Sequence, residues 1–276
     1  PISLVPLLGK CLEKLIIDRV MYHLLTNNLL SPFQFGFMSQ KSSEIAICKV
    51  IDWMKAIYSN KQFGMLVSLD ISGAFDHAWW PKILHQLKLK KCPKNIYKLI
   101  MNYFQDCKSV LTVCGKTITK RITCGCPQGS ACSPGFWFIL YDDLLQPPLP
   151  ADCKLFTYAN DALLLVKASN TNLLVEKTNA ALRIIHSWGL NNKLTFNPTK
   201  TSAMIVTRRR KVQPITLSMN NVNIQLVNKI IYLGIILDGK LTFLAHFDYI
   251  AGKASKLLTA LATTTGIKRQ HTHYYI

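Results

Sequence analysis

The sequence predicts an α+β fold, short buried strands separated by helices, and three observations carry that reading. Apolar runs of strand length at 64–69, 155–158 and 162–166 are bounded by turn residues. Between them lie longer stretches with helical spacing, such as Leu8, Leu12, Leu15, Ile16 and Val20. The chain has 276 residues, 49% of them hydrophobic, enough to bury a large core in one domain or two subdomains. Low-complexity tracts and 20–50-residue repeats are absent, which excludes a disordered or solenoid protein.

In chain order, an apolar lead with Pro1 and Pro6 enters a core-facing helix that Asn27-Asn28 stops. Residues 31–37, Ser-Pro-Phe-Gln-Phe-Gly-Phe, alternate aromatic with polar or small residues. They read as a loop whose aromatic alternation is more often plain strand packing, with contact to nucleotides by exposed aromatics beside Gln34 and Lys41 as the sharper alternative. Ser42-Ser43 caps a helix to about Tyr58. The strand at 64–69 closes on Asp70, before the turn Ile71-Ser72-Gly73-Ala74-Phe75-Asp76. Helices follow at about 80–87 and, after the basic link 88–94, to about Phe104; 109–113 and 117–123 form a hairpin turned at Cys114-Gly115. The small-residue loop 124–134 permits close approach of a ligand and runs into an apolar helix with Ser133 as cap and Pro134 in its first position. That helix, 135–145, ends near Pro147-Pro148.

The next stretch, Leu155 to Val166, is a hairpin with Ala159-Asn160-Asp161 at its tip. A helix at 172–188 is expected to stop at Gly189, and 194–200 leads to a strand at 203–207. The charge run 208–211 is a solvated turn placed for a phosphate. Short strands at 215–219, 222–226 and 230–237 precede a last helix from about His246 to Ala262.

Charge narrows the partners. The chain has 33 Lys and Arg against 14 Asp and Glu, a net charge of +19, which favours polyanions with salt-sensitive binding. Nucleic acid leads; anionic membranes or simple solubility are the alternatives. The nine cysteines are odd in number with no Cys-x-x-Cys pair, so free thiols in a reducing compartment are expected. Cys124, Cys126 and Cys132 fit no zinc spacing. Apolar runs are broken by Asp142-Asp143 and Asn160-Asp161 too soon to span a bilayer. No Gly-x-Ser-x-Gly elbow, Walker P-loop or His-Glu-x-x-His motif is present, so hydrolase, ATPase and zinc-protease readings lack their residues. A start at Pro1 and an end at Tyr275-Ile276 read as the ends of a fragment without its targeting segments.

Asp70 and Asp161 stand out as acids at the ends of apolar strands in a basic chain. If the strands are neighbours the carboxylates meet, and must then hold a metal, share a proton or pair with a cation. Oxygen ligands suit Mg²⁺ shared with substrate phosphates, and two ions about 3.5–4 Å apart stabilise in-line phosphoryl displacement.

With these residues in place, the chain resembles the reverse transcriptase of non-LTR (LINE-type, jockey-like) retrotransposons, from Pro1 to about Gly266. Pro1-Ile2-Ser3-Leu4 with Leu12-Glu13-Lys14, and Gln34-Phe35-Gly36-Phe37 with Lys41-Ser42-Ser43, resemble the first two fingers motifs. Asp70–Asp76 resembles the first catalytic motif. The resemblance makes Asp70 a metal ligand together with the backbone of Ile71, and Phe75 the residue that crowds the sugar 2′ position and selects deoxynucleotides. Pro127-Gln128-Gly129-Ser130 with Ser133-Pro134 resembles the loop facing template and incoming base; Gln34 and Tyr158 join Phe75, Gln128, Gly129 and Ser130 as implied nucleotide or template contacts. The hairpin takes the place of the Tyr/Phe-x-Asp-Asp box, Lys200 in Asn197-Pro198-Thr199-Lys200 that of a general acid, and Tyr232, Leu233 and Gly234 that of the primer grip.

The resemblance implies a right-hand polymerase fold, an antiparallel palm sheet backed by helices. Residues 1–63 and about 77–123 would be fingers, 64–76 and about 124–229 palm, 230–245 a primer-grip hairpin and 246–276 the start of a thumb. It further implies two Mg²⁺ ions, with Mn²⁺ as an alternative, an RNA template, a DNA primer, deoxynucleoside triphosphates, no membrane, and a place in cytoplasm and nucleus.

One departure matters for activity. Where the family has two acids this chain has Asn160-Asp161, a neutral and weaker ligand in place of a metal-binding carboxylate. The sequence therefore leaves three readings: an RNA-directed DNA polymerase impaired at Asn160, a catalytically inactive nucleic-acid-binding remnant, or a basic structural protein.

Overall fold

The computed structural model describes residues 3–38, 40–209 and 212–265, the last three as backbone only. Pro1-Ile2, Arg210-Lys211 and 266–276, the last of these expected to belong to the thumb, lie outside the described residues. Helices α1 (Leu7–Thr26) and α2 (Ser43–Ser59) precede strand β1 (Phe63–Leu69), α3 (Trp80–Leu89) and α4 (Lys94–Tyr103). The hairpin β2 (Lys108–Val113) and β3 (Lys116–Arg121) leads to α5 (Ser133–Asp142), a 3-10 turn Asp143–Leu145, β4 (Cys153–Tyr158), β5 (Asp161–Ala168) and α6 (Thr171–Asn191). Then come β6 (Ser202–Val206), β7 (Ser218–Met219), β8 (Val222–Asn223), β9 (Gln225–Leu226), β10 (Lys229–Tyr232), β11 (Ile235–Asp238) and α7 (Leu244–Thr265).

The central sheet has the order β4-β5-β1-β6-β9, antiparallel except for the parallel pair β6 and β9. β1 is buried along almost its whole length because both faces of the sheet are covered. Met65, Val67, Leu69, Ala162, Leu164 and Val166 face one core with α5 and α6. Leu66, Leu163 and Leu165 alternate to the other, with α2 and the β10–β11 hairpin. The expected mainly antiparallel sheet backed by helices is thus what forms.

Several boundaries differ from the expectation, each for a local reason. α6 runs through Gly189 to Asn191. The glycine is there for space, since a Cβ would stand 2.7 Å from the Leu194 carbonyl oxygen and 3.1 Å from the Phe196 ring. Ser133 does not cap α5: Cys132 holds that position, Ser133 is the first helical residue, and its buried Oγ has no partner. The strands expected at 215–219 and 222–226 shrink to β7, β8 and β9: β7 and β8 pair only at Ser218–Asn223 and Met219–Val222, extended by Ile224 N donating to Leu217 O (2.9 Å), while Ile215 and Leu217 are buried. The 230–237 strand folds back on itself at Leu233 (φ 48°) and Gly234 (φ 85°) as β10 and β11.

The aromatics of 33–37 are not an exposed platform. Phe33 stacks on Phe156 at 5.6 Å, Phe35 is 1% exposed against the same ring at 5.5 Å, and Phe37 alone of the three is exposed. The segment is instead a strand-like cover for the edge of β4. Phe35 N donates to Thr157 O (2.8 Å) and Thr157 N to Phe33 O (3.1 Å).

Candidate active site

Two adjacent strands deliver the acids. The register of β1 on β5 pairs Leu69 with Ala162, so the next residues out, Asp70 and Asp161, face each other on the side of the sheet covered by α2 and the β10–β11 hairpin. The turn between β4 and β5 is the two residues Ala159-Asn160; Asp161 is the first residue of β5, paired with Tyr158, rather than part of the tip. Cross-strand neighbours have Cβ atoms about 4.5–5.5 Å apart. Asp161 is exposed, yet partial desolvation and the charge of Asp70 raise its carboxyl above the ordinary carboxylate value. Asp70 Oδ2 is buried with no hydrogen-bond partner among the described residues. Two carboxylates that repel each other, one with an orphaned oxygen, form a donor set that suits a divalent cation.

The segment after Asp70 is pinned as tightly. Ser72 N donates to Thr195 O (2.9 Å) and Asn197 N to Asp70 O (2.8 Å), around the bridge of Ile71 with Phe196. In that pattern Ile71's own carbonyl takes no part in the pairing and points to the β5 side, where the hairpin turn lies. The same bonds bring 197–200 beside the acids. Asn197 Oδ1 accepts from Thr199 N (3.0 Å), and Lys200 is exposed without an ion pair among the described residues.

The turn itself is held from below by α5. Trp137 Nε1 donates to Ala159 O (3.0 Å) and the Tyr141 hydroxyl to Asn160 O (3.4 Å). Burial, then the charge of Asp161, raises the Tyr141 phenol well above its ordinary value, so it stays a neutral donor. Ala159 has φ 54°, and Gly36 lies so close that a Cβ there would stand 2.1 Å from Ala159 N. Asn160 is exposed, and its side chain has no hydrogen-bond partner among the described residues.

A second constellation forms beside it. Phe75, half-buried with its ring 5.3 Å from Trp137, lines a recess of about 200 Å³ with Gln128, Gly129 and Ser130. Pro127–Ser130 is a turn closed by Ser130 N donating to Pro127 O (3.2 Å); its third residue, Gly129, has φ 107°, as a type II turn requires. Cys126 N donates to Phe75 O (2.7 Å), locking this loop to the Asp70–Asp76 turn. Buried Glu13 ties it to α1, accepting from Ala131 N (2.7 Å) and the Tyr103 hydroxyl (2.7 Å).

Tyr232, at the β10–β11 turn with Leu233 and Gly234, completes the surroundings: burial first, then the charges of Asp161 and Tyr158, raises its phenol, whose buried oxygen has no partner. Asp70, Ile71, Asp161, Asn160, Tyr158 and Tyr232 therefore converge, with Phe75 and the 128–130 loop adjoining. Gln34 does not join them as a surface contact. It is 1% exposed with both side-chain polar atoms unpartnered, because its backbone covers the β4 edge. Lys41, expected beside it at a nucleotide, instead donates to Pro32 O (2.9 Å) and Gln34 O (2.7 Å). Trp137 and Tyr141 are supporting residues that residue patterns did not single out, while Glu13 entered only as part of the Leu12-Glu13-Lys14 resemblance and without this role. Polar-tipped aromatics inside the all-apolar run 135–141 were the available signal, since buried Trp and Tyr seek acceptors.

An antiparallel sheet that sets two acids beside a tight turn, flanked by a glycine loop and a second hairpin, is the palm of a right-hand polymerase. Telomerase from Candida tropicalis, truncated from its C-terminal domain, shares the fold with a TM-score of 0.61 at 12% identity, over 85% of this chain and 44% of that one. Residues 1–237 match the family described as reverse transcriptase (RNA-dependent DNA polymerase), and the chain belongs to it. It is 30% identical over 264 residues to the Pol polyprotein of the R1 element of Bradysia coprophila, covering 95% of this chain and 26% of that protein. It is 29% identical to the RNA-directed DNA polymerase of the jockey element of Drosophila melanogaster, covering 91% and 28%. The non-LTR resemblance stands, and the chain spans about a quarter of the length of these relatives.

Proposed function

We propose that this chain is the polymerising part of a longer mobile-element protein and extends a DNA primer on an RNA template with deoxynucleoside triphosphates. The observation that carries it is the facing pair Asp70 and Asp161, with an orphaned Asp70 oxygen and a raised Asp161 carboxyl. Asp70, Asp161 and the Ile71 carbonyl would hold divalent cations, which supply charge to stabilise the attacking and leaving oxygens of phosphoryl transfer. We assign two Mg²⁺ ions, replaceable by Mn²⁺. Phe75 crowds the sugar, Gln128, Gly129 and Ser130 shape the recess for the incoming base, Tyr158 contacts the nucleotide or template, the Tyr232-Leu233-Gly234 hairpin places the primer end, and Lys200 donates a proton to the leaving group. The fingers, palm, primer-grip and thumb boundaries given above belong to this reading, as does a nuclear and cytoplasmic location.

Asn160 favours a second reading, an inactive nucleic-acid-binding remnant, because it removes one charge from the site. Among the described residues no helix is long and apolar enough to cross a membrane. The test is primer extension on an RNA template with Mg²⁺ or Mn²⁺. Synthesis that disappears in Asp70→Asn supports the polymerase; salt-sensitive template binding without any extension supports the remnant.

A further inference from the structure

At the end of the sheet opposite the acids lies a cavity of about 880 Å³ whose charged lining the polymerase site does not use. Gly64 pairs with Val206, so Thr207 follows beside Phe63, at the start of the seven-residue β1, whose far end at Leu69 leads directly into Asp70. At about 3.3 Å per residue the two sites are about 20–25 Å apart. Lys55 and Tyr58 come from the last turns of α2, Thr207, Arg208 and Arg209 from the exit of β6, and Lys240 from the turn after β11. Among the described residues the wall carries four cations, Lys55, Arg208, Arg209 and Lys240, and no acid.

These cations are weakly engaged. Arg208 and Lys240 have no ion pair among the described residues, Lys55 lies 3.9 Å from exposed Asp52, and the Arg209 guanidinium sits 4.7 Å over the Phe63 ring. The nearby acid, Asp238, is spent on its own turn, accepting from Lys240 N (2.9 Å), Thr242 N (3.1 Å), Thr242 Oγ1 (3.1 Å) and Phe243 N (2.8 Å). Tyr58 donates to Gly239 O and clips α2 to that turn, its phenol pushed up to about 12 by burial and then by Asp238. Thr207 Oγ1 accepts from Arg209 N (3.3 Å), which braces the β6 exit. The result is a braced recess with guanidinium and ammonium groups on its wall.

We propose that this recess binds the phosphodiester backbone of a single nucleic-acid strand, at a place separate from the acid pair. Guanidinium forks and ammonium groups match phosphate oxygens. A concave wall also suits a strand better than a bilayer, whose binding calls for an apolar face to insert. The proposal does not depend on catalysis.

The experiment compares two triple variants by fluorescence anisotropy with a 20-nucleotide single-stranded RNA and its DNA counterpart: Lys55→Gln/Arg208→Gln/Lys240→Gln, and Lys88→Gln/Lys94→Gln/Lys98→Gln, which removes equal charge from exposed positions on α3 and α4. The recess variant is expected to lose at least tenfold in affinity at low salt, and its salt slope to fall by about 2, since each single-strand phosphate contact contributes about 0.7. Its thermal midpoint should stay unchanged. A loss no larger than that of the α3–α4 variant overturns the proposal, as does wild-type binding to anionic vesicles tighter than to either oligonucleotide. The RNA and DNA arms show which strand is held. Primer extension in an Asn160→Asp background is a separate readout: its failure bears on the polymerase reading, while anisotropy alone decides the recess.

Discussion

Restoring the missing acid, Asn160→Asp, is the most informative single change. Asn160 is exposed at the second position of the two-residue turn, its carbonyl held by Tyr141 and that of Ala159 by Trp137, so an aspartate of the same size enters without moving the backbone. What changes is charge. A third carboxylate beside Asp161 and Asp70 adds repulsion that, for unit charges about 5 Å apart, lies between about 1 kcal/mol in water and about 3 kcal/mol at a protein surface. The exposure of Asn160 and Asp161 puts it near the lower figure. The metal-free variant should therefore melt lower than the natural chain and regain more stability on adding Mg²⁺. Removing one preorganised electrostatic group elsewhere costs about 2.7–4 kcal/mol of barrier, so restoring this one should raise the extension rate about 10²–10³-fold. The assay is single-turnover primer extension on an RNA template, with Asp70→Asn as the dead control, and melting curves with and without Mg²⁺. If Asn160→Asp gives neither faster extension nor a larger Mg²⁺-induced rise in melting temperature, the acid pair is not a metal site and the reasoning fails.

Other expectations follow from the same geometry. Because Asp161 is raised above the ordinary 3.8, the folded chain holds that proton more tightly than the unfolded one, so stability is lost as pH rises through the folded value. Asp161→Asn should flatten that loss in metal-free melting curves at pH 4–7, and a curve as steep as the natural chain's would contradict it. Gly36→Ala drives a methyl into Ala159 N and should cost about 1–3 kcal/mol in denaturant unfolding, with extension falling alongside. Trp137→Phe removes the bond to Ala159 O but keeps most of the ring; a loss of about 1 kcal/mol by thermal melting is expected, and an unchanged midpoint would show that the turn does not need it. In the Asn160→Asp background, Phe75→Val opens the recess and should improve ribonucleotide against deoxynucleotide use about 10–200-fold, read from the ratio of incorporation efficiencies.

Much of the fold could be read from residue patterns, because burial imposes periods. The apolar run of 64–69 gave β1, the paired runs around 159–161 gave the hairpin, and helical spacing with a Ser42 cap gave α2, whose Ile45 N does bond Ser42 Oγ at 3.2 Å. Asp70, Phe75, Gln128-Gly129 and the Asn160-Asp161 pair were also visible, being rare polar or small residues set against apolar surroundings. Gly189 misled because there a glycine answers a tight space rather than a helix end, and Ser133 because the helix begins one residue earlier than a Ser133 cap implies, with Cys132 in the cap position.

By itself the sequence determined which segments are strands and helices, the basic surface, and the identity of the acids, because these depend on local periodicity and side-chain chemistry. Only the tertiary structure decided that Asp70 faces Asp161, that Gln34 is buried under the edge of β4 rather than offered to a nucleotide, and that Trp137, Tyr141 and Glu13 hold the site from beneath. Strand register and the packing of α5 and α1 are contacts between residues far apart in the chain, and their energies depend on partners that no local pattern names.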